Sequence, residues 1–293
     1  MTLVPRCVLV ERPTEFRDLL ARHGTREQAR FFLAQRGLEI AEVEERHLRY
    51  EETRARVLGA VPPTWRTTTV AREDLDRFLF ADDDVVVVLG QDGLVANASK
   101  YLGGQPVIGL NPEPDRFPGV LVTHRPDALA DLCADLVAGR AAIEPRTMVR
   151  AALDDGQELR ALNEVFLGHR THQSARYALN VGGAAEHQSS SGLIVATGTG
   201  ATGWAKSINQ GRLALPTPVA PELAWFVREA WESRTTGASL TAGLLAAQQT
   251  ITVTSEIEGV VFGDGIEADH LALDWGQRVT IGAADQRLAL VRG

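Results

Sequence analysis

The stretch "DVVVVLGQDGLVANASKYLGG", residues 84–104, decides the reading of the first half of the chain. Four valines and a leucine run into Gly90-Gln91-Asp92-Gly93, and a helix-like segment follows. A continuous β-branched run suits a strand covered on both faces, as in a parallel sheet. Glycines after such a strand permit backbone angles that other residues avoid. They also let amide groups approach an anion at the positive end of the next helix. Gln91 is bulky for that purpose. Asp92 carries the wrong charge to hold phosphate, and makes sense beside one as a general base or a magnesium partner. The plain alternative is a strand-to-helix turn with Asp92 as a helix cap.

Working outward, strands are expected at 7–11, 65–71, 85–89 and 106–110. Helices are expected from Thr25, which forms a capping box with Gln28, to about Arg36, then over 49–60, 73–80 and 94–102. This alternation favours a parallel sheet with helices on its faces. After a helix at 127–138 the pattern turns strand-rich, with candidates at 146–153, 158–168, 175–182, 192–197, 249–255, 259–263 and 278–282. Asp-Gly and Gly-Gly turns separate several of them. Helices are expected there only at 203–211 and 221–232. The fold class is therefore α/β plus β, with a Rossmann-like domain over 1–125 and a β-rich, sandwich-like domain over 126–293.

The bulk numbers restrict function. The 293 residues are 44% hydrophobic and 23% charged, which is enough to bury a full core. A formal net charge of -8 argues against a broad grip on nucleic acid or an anionic membrane. No apolar run approaches the ~20 residues that span a bilayer. The start, MTLVPRCVLVERP, reads as a strand and not as a signal peptide. Two isolated cysteines, Cys7 and Cys133, fit packing in a reducing compartment, so a cytoplasmic location is expected. The seven histidines show no metal-ligand spacing, and no protein-ligated metal site is expected.

Three further stretches could carry chemistry. In "LNEVFLG", 162–168, Asn163 and Glu164 sit in an apolar strand pattern. Adjacent strand residues point to opposite faces, so one of them is buried unless the strand ends or bulges there. In "SSSGLIVATGTGATGWAKSINQG", 189–211, a strand enters a loop of threonines and glycines that opens a helix. That loop supplies close backbone approach and hydroxyl donors, as a phosphate or a polar ligand edge requires; a merely flexible loop is the alternative. In "VVFGDGIEADHLALDWGQRVTIG", 260–282, Asp264-Gly265 follows an apolar strand and reads equally as a β-turn.

In this order the segments resemble the NAD kinase family. The family carries Gly-Gly-Asp-Gly-Thr, then Asn-Glu or Asn-Asp, then Asp-Gly-Leu with Thr-Pro-Thr-Gly-Ser-Thr-Ala-Tyr, then a late Asp-Gly. The matching stretches are GQDGL (90–94), NE (163–164), SGL (191–193), TGTGATGW (197–204) and DG (264–265). The wording of residues 98–116, 162–168 and 190–209 is similar to the mitochondrial type. The resemblance implies an α/β domain, a β-rich domain and a cleft site. It implies transfer of the ATP γ-phosphoryl group to the 2′-hydroxyl of the NAD adenosine ribose, with Mg2+. Asp92 would be the general base; Gly90, Gln91, Gly93 and Leu94 would form the nucleotide-phosphate turn. Asn163, Glu164, Thr199, Thr202, Gly203 and Trp204 would bind NAD. NAD and ATP are the expected partners, and a homodimer or tetramer is expected. The departures are Gln91 for glycine, Leu94 for threonine, Ser191 for aspartate and Ala201 for serine. A related kinase of another sugar, nucleoside or lipid hydroxyl, or a catalytically degenerate nucleotide-binding protein, are the alternatives.

Overall fold

A computed structural model of the chain describes residues 4–292. They form two compact units, one of residues 4–98, 105–143 and 290–292, and one of Ser99–Gly104 with Glu144–Ala289. The expected division lay at 125–126; here the first unit runs on to Ile143, because the helix after residue 128 packs in its core.

The first unit runs β1 (Arg6–Glu11), α1 (Glu15–His23), α2 (Arg26–Ala34), α3 (Ile40–Ala60), β2 (Arg66–Ala71), β3 (Asp84–Leu89), α4 (Asp92–Ser99), β4 (Pro106–Leu110) and α5 (Leu129–Val137). The strands lie in the order β2-β1-β3-β4 and all pair in parallel, with Val8 opposite Thr68 and Val86, and Val86 opposite Val107. Every residue of β3 is buried, as its valine run requires. Leu9, Val87, Ile108, Leu129 and Cys133 share the core beside it. Asp84 is tolerated in that strand because Arg6 meets it with two nitrogens, each at 2.6 Å.

Of the three helices before β2, α2 follows its Thr25 cap as expected and the other two differ from expectation. α1 is an element the sequence reading does not contain; Thr14 caps its start and Gly24, at φ 78°, closes it. α3 begins at Ile40 rather than 49. Its buried positions, Ile40, Val43, Thr53 and Val57, are few among charged residues, so its periodicity is faint.

The second unit contains β5 (Ala142–Leu153), β6 (Glu158–Ala161), β7 (Glu164–His169), β8 (Ala175–Val181), β9 (Ala184–Ser190), β10 (Gly192–Ala196), α6 (Trp204–Asn209), β11 (Leu223–Arg228), β12 (Ala242–Leu245), β13 (Thr250–Ser255), β14 (Gly259–Gly263), β15 (His270–Leu273) and β16 (Arg278–Arg292). One antiparallel sheet has the order β12-β11-β10-β7-β14-β15. β16, β13, β8 and β9 pair antiparallel in sequence, and β6 joins β5. Val165, Leu167, Leu193 and Val195 from the first set share a core with Tyr177, Leu179, Ile251 and Val253 from the second. α6 covers the other face of the six-stranded sheet, against Phe166, Ile194 and Phe226.

The helix expected at 221–232 is a strand, β11, flanked by β10 and β12. Its LAWFVR run is buried along almost its whole length, and a buried run of six does not distinguish the two periods. The single strand expected over 158–168 is broken at Leu162 and Asn163 into β6 and β7. No helix among the described residues is long and apolar enough to cross a membrane.

Candidate functional site

In the first unit the glycine turn leads from β3 directly into α4. Gly90 donates its amide to the Leu110 carbonyl at 3.1 Å, and Leu94 donates to the Gln91 carbonyl at 2.9 Å. Gln91 and Gly93 are exposed, whereas Leu94 is only 5% exposed and fills the space a Gly90 side chain would occupy. A threonine at 94 would bury its hydroxyl in this packing, so the leucine is consistent with its surroundings.

Asp92 opens α4, and its carboxylate is engaged. Val120 donates its amide to Oδ2 at 2.8 Å; Leu121 and Val122 donate to Oδ1 at 2.8 and 3.0 Å. The segment can lie this close because β4 has glycine at 109, where a Cβ would stand 2.2 Å from the Leu121 carbonyl oxygen. Asp92 therefore acts as an anion in a cradle of three backbone donors.

In the second unit three sequence segments converge. Asp264 follows β14 with φ 53°, and Gly265 after it has φ 68°. The Asp264 carboxylate accepts the amides of Leu162 and Asn163 at 2.8 and 2.7 Å, which satisfies the donors exposed where β6 gives way to β7. Thr197 donates its amide to the Asn163 carbonyl at 2.9 Å and its hydroxyl to the Leu162 carbonyl at 2.5 Å. The same hydroxyl accepts the amides of Thr199 and Gly200 at 3.1 and 3.3 Å. The threonine-glycine loop is thus an ordered turn. Only glycine fits at 200, where a Cβ would sit 2.3 Å from the Asn163 carbonyl oxygen and 3.1 Å from Glu164 Oε2.

These contacts bring Asn163, Glu164, Thr199 and Asp264 together. Burial, with the neighbouring charge of Asp264 adding to it, pushes Glu164 up to about 7. Burial likewise pushes Asp264 up to about 6, although the amides it accepts and the Lys100 charge pull the other way. Thr199 is buried, and its hydroxyl accepts from the buried guanidinium of Arg146 at 3.4 Å. Thr202 and Gly203 are exposed on the loop. Trp204 opens α6, half-buried, with its ring stacked on Phe166 at 5.8 Å and the Arg228 guanidinium 5.3 Å from its centre.

Two residues outside the sequence-read set belong to this cluster. Lys100 places its ammonium 2.7 Å from Asp269, with its side chain 3% exposed, and the Tyr101 hydroxyl donates to the same Asp269 oxygen at 2.6 Å. A lysine after an apolar helix normally reads as a solvated end, and only its pairing with a distant aspartate distinguishes it. Among the described residues no group of three or more histidine, cysteine, aspartate or glutamate side chains could hold a metal ion.

No protein-family model matches the chain. In sequence it is 31% identical over 216 residues to the NAD kinase of Azotobacter vinelandii, covering 71% of this chain and 70% of that protein. It is 30% identical over 150 residues to the NAD kinase of Chlorobaculum tepidum, covering 48% and 52%. With the NAD kinase of Pseudomonas syringae pv. tomato it shares 34% over 172 residues, covering 55% and 53%. Thus the chain spans about half the length of two of these relatives and 70% of the other. In fold it is similar to yeast NADH kinase complexed with NADH, with TM-score 0.63 and 12% identity over 100% of this chain and 84% of that one. It is also similar to an NAD kinase from Archaeoglobus fulgidus in complex with ATP, with TM-score 0.58, 18% identity and coverage of 98% and 93%.

Proposed function

The chain belongs to the NAD kinase family, and from that premise we propose that it transfers the γ-phosphoryl group of ATP to the 2′-hydroxyl of the adenosine ribose of NAD, giving NADP. The observation that carries this reading is the knot of Asn163, Glu164, Gly200 and Asp264, in which a strand break, a threonine-glycine loop and a buried carboxylate lock one another. Such a rigid, partly buried polar rim suits the hydroxyls and amide of a dinucleotide. Thr199, Thr202, Gly203 and Trp204 extend it, with the Trp204 ring supplying a surface for a base.

Chemically, the ribose oxygen forms a bond to the γ-phosphorus as the bond from that phosphorus to the β,γ-bridging oxygen breaks. ADP leaves with the electron pair, and the hydroxyl proton passes to a carboxylate. Asp92 is the proposed acceptor, in the turn that Gly90 shapes and where Gln91 and Gly93 offer backbone to the donor phosphates. Its Oδ2 accepts one amide, from Val120, and keeps a lone pair for the proton, while Oδ1 is held by Leu121 and Val122. A magnesium ion would arrive with the ATP phosphates and neutralise their charge.

A second reading, NAD binding without transfer, draws on one observation: the Asp92 carboxylate already carries three donors. One assay separates the two. Purified protein with NAD, ATP and magnesium is scored for NADP beside Asp92→Asn. NADP from the wild type, reduced at least a hundredfold in the variant, supports the base assignment. NADP from both at equal rates removes Asp92 from the mechanism. Tight NAD binding with no NADP from either selects the second reading.

A further inference from the structure

One guanidinium of the second unit stands without an acceptor beside an aromatic platform. The platform begins with Phe166. Its ring lies across Gly168 and Gly192, and a Cβ at either position would overlap it. Gly192, at φ 120°, also holds a backbone angle that residues with side chains avoid. Phe166 packs on Phe262 at 5.0 Å, and Trp204 stacks on Phe166 at 5.8 Å with 19° between the planes. Arg228 completes the row, its guanidinium 5.3 Å from the centre of the Trp204 ring.

Arg228 ends β11, on the strand face that Ala224 and Phe226 share under α6. Its backbone is fixed. The Ser191 amide donates to the Arg228 carbonyl at 2.9 Å, and Gly192 is its partner in β10. Glu229, directly after it, adopts φ 43°, a conformation that costs a residue with a side chain free energy. The guanidinium, by contrast, is unengaged. Its side chain is 31% exposed, and among the described residues it makes no hydrogen bond; the Glu229 carboxylate, 66% exposed, stands 3.6 Å away. An ion pair of that kind, largely in water, contributes little. Ser191, its neighbour across the strand pair, brings no charge.

A planar fork of permanently charged donors, set against an aromatic ring, matches phosphate oxygens two at a time. A neutral ligand edge would accept hydrogen bonds of only about half that strength. A nucleotide carries its first phosphate one ribose away from its base, so a base at Trp204 brings an anion to the same surface. We propose that Arg228 binds the diphosphate of the acceptor dinucleotide, in the subsite where the base lies against Trp204. The identity of the ligand rests on the NAD-kinase reading; the anion-binding role of Arg228 stands apart from it.

The test compares two ligands on the full chain at fixed salt: ADP-ribose, which carries the diphosphate, and adenosine, which does not. Affinities are read by ligand-observed NMR for wild type, Arg228→Gln and Arg228→Lys. Arg228→Gln is expected to weaken ADP-ribose roughly ten- to a hundredfold and adenosine by less than about twofold. Arg228→Lys, which keeps the charge but not the fork, should fall between wild type and Arg228→Gln for ADP-ribose and leave adenosine unchanged. Equal weakening of the two ligands means that Arg228 only braces the Trp204 ring, and overturns the proposal. An unchanged affinity for ADP-ribose overturns it as well. If Arg228→Gln does not fold, the same comparison of ligands on Arg228→Lys decides. Failure of wild type to bind ADP-ribose or NAD counts against the function reading. In that case, or if adenosine binds too weakly to compare, inorganic pyrophosphate judges the role of Arg228: titrated into wild type, it should shift the NMR signal of the Arg228 Nε–H, and an unmoved signal overturns the proposal.

Discussion

At the scale of single residues, Asp92 and Gln91 carry different questions on adjacent positions. Asp92 has a structural duty as well as the proposed chemical one, because its carboxylate collects three amides of the 120–122 segment. Asparagine offers one oxygen and turns an NH2 group toward donors. Asp92→Asn is therefore expected to destabilise the protein by roughly 2 kcal/mol, read by urea denaturation at pH 7. A variant as stable as the wild type would mean that the cradle is dispensable and the aspartate is held for chemistry alone. Gln91 makes a simpler case. Its side chain is exposed, its carbonyl accepts the Leu94 amide, and α4 starts at the next residue. Gln91→Gly removes bulk where donor phosphates are proposed to approach, and should lower the KM for ATP severalfold. The added backbone freedom of the unfolded chain should reduce stability by less than about 1 kcal/mol. An unchanged or raised KM would place the phosphates elsewhere.

At the scale of elements, the loop from β10 to α6 shows what glycine is for. Gly200 has no room for a methyl against the Asn163 carbonyl, whereas a Cβ at Gly93 would meet nothing within 4 Å. Gly200→Ala should lose about 2–3 kcal/mol in chemical denaturation and weaken NAD binding at least tenfold, because the loop must lift from Asn163. Gly93→Ala, inside α4, should be neutral or slightly stabilising. Equal behaviour of the two variants would reject the close-approach argument. The same elements show how much sequence can convey. β3 was legible because a valine run admits one burial pattern, and Thr25 marked α2 through a local cap that needs no tertiary partner. β11 was not, since Leu223–Arg228 is apolar at every position that could have set a period. Its strand state comes from its neighbours β10 and β12, which lie far along the chain. The site divides likewise. Asn163, Glu164 and the 197–204 loop were visible as polar or glycine-rich breaks in apolar strands. Lys100 and Asp269 were not, because 169 residues separate them and neither interrupts a pattern.

At the scale of the whole molecule, the placement of ionisable groups sets opposing slopes of stability against pH. Glu186 is raised by what burial it has, but hydrogen bonds from Ser239, Gln188 and the Leu240 amide outweigh this and hold it at about 2. Its stabilising contribution is present above the ordinary carboxylate range and is lost as pH falls toward 2. Glu164 and Asp264 act in reverse. Burial raises both, to about 7 and about 6. In that interval the folded chain holds protons that the unfolded chain releases, so folding is favoured at low pH and the advantage disappears as pH rises through 7. Thermal stability is therefore expected to be highest between about pH 4 and 5, to decline as pH rises to about 7 and to level off above it, since self-repulsion of a chain with net charge -8 changes little between 7 and 8. Glu164→Gln removes one titrating carboxyl from this interval and leaves a neutral group of nearly the same shape. Its melting temperature at pH 8 should exceed that of the wild type by a few degrees, with the two curves converging below about pH 4.5, the ordinary value of the carboxyl. The same variant should bind NAD more weakly, since a partly buried acid is what the site keeps at the expense of stability. Melting curves at half-unit steps from pH 4.5 to 8.5 decide the matter. If the wild-type and Glu164→Gln curves run parallel across that range, the acid pair does not titrate where its burial places it, and the electrostatic account of the site fails with it.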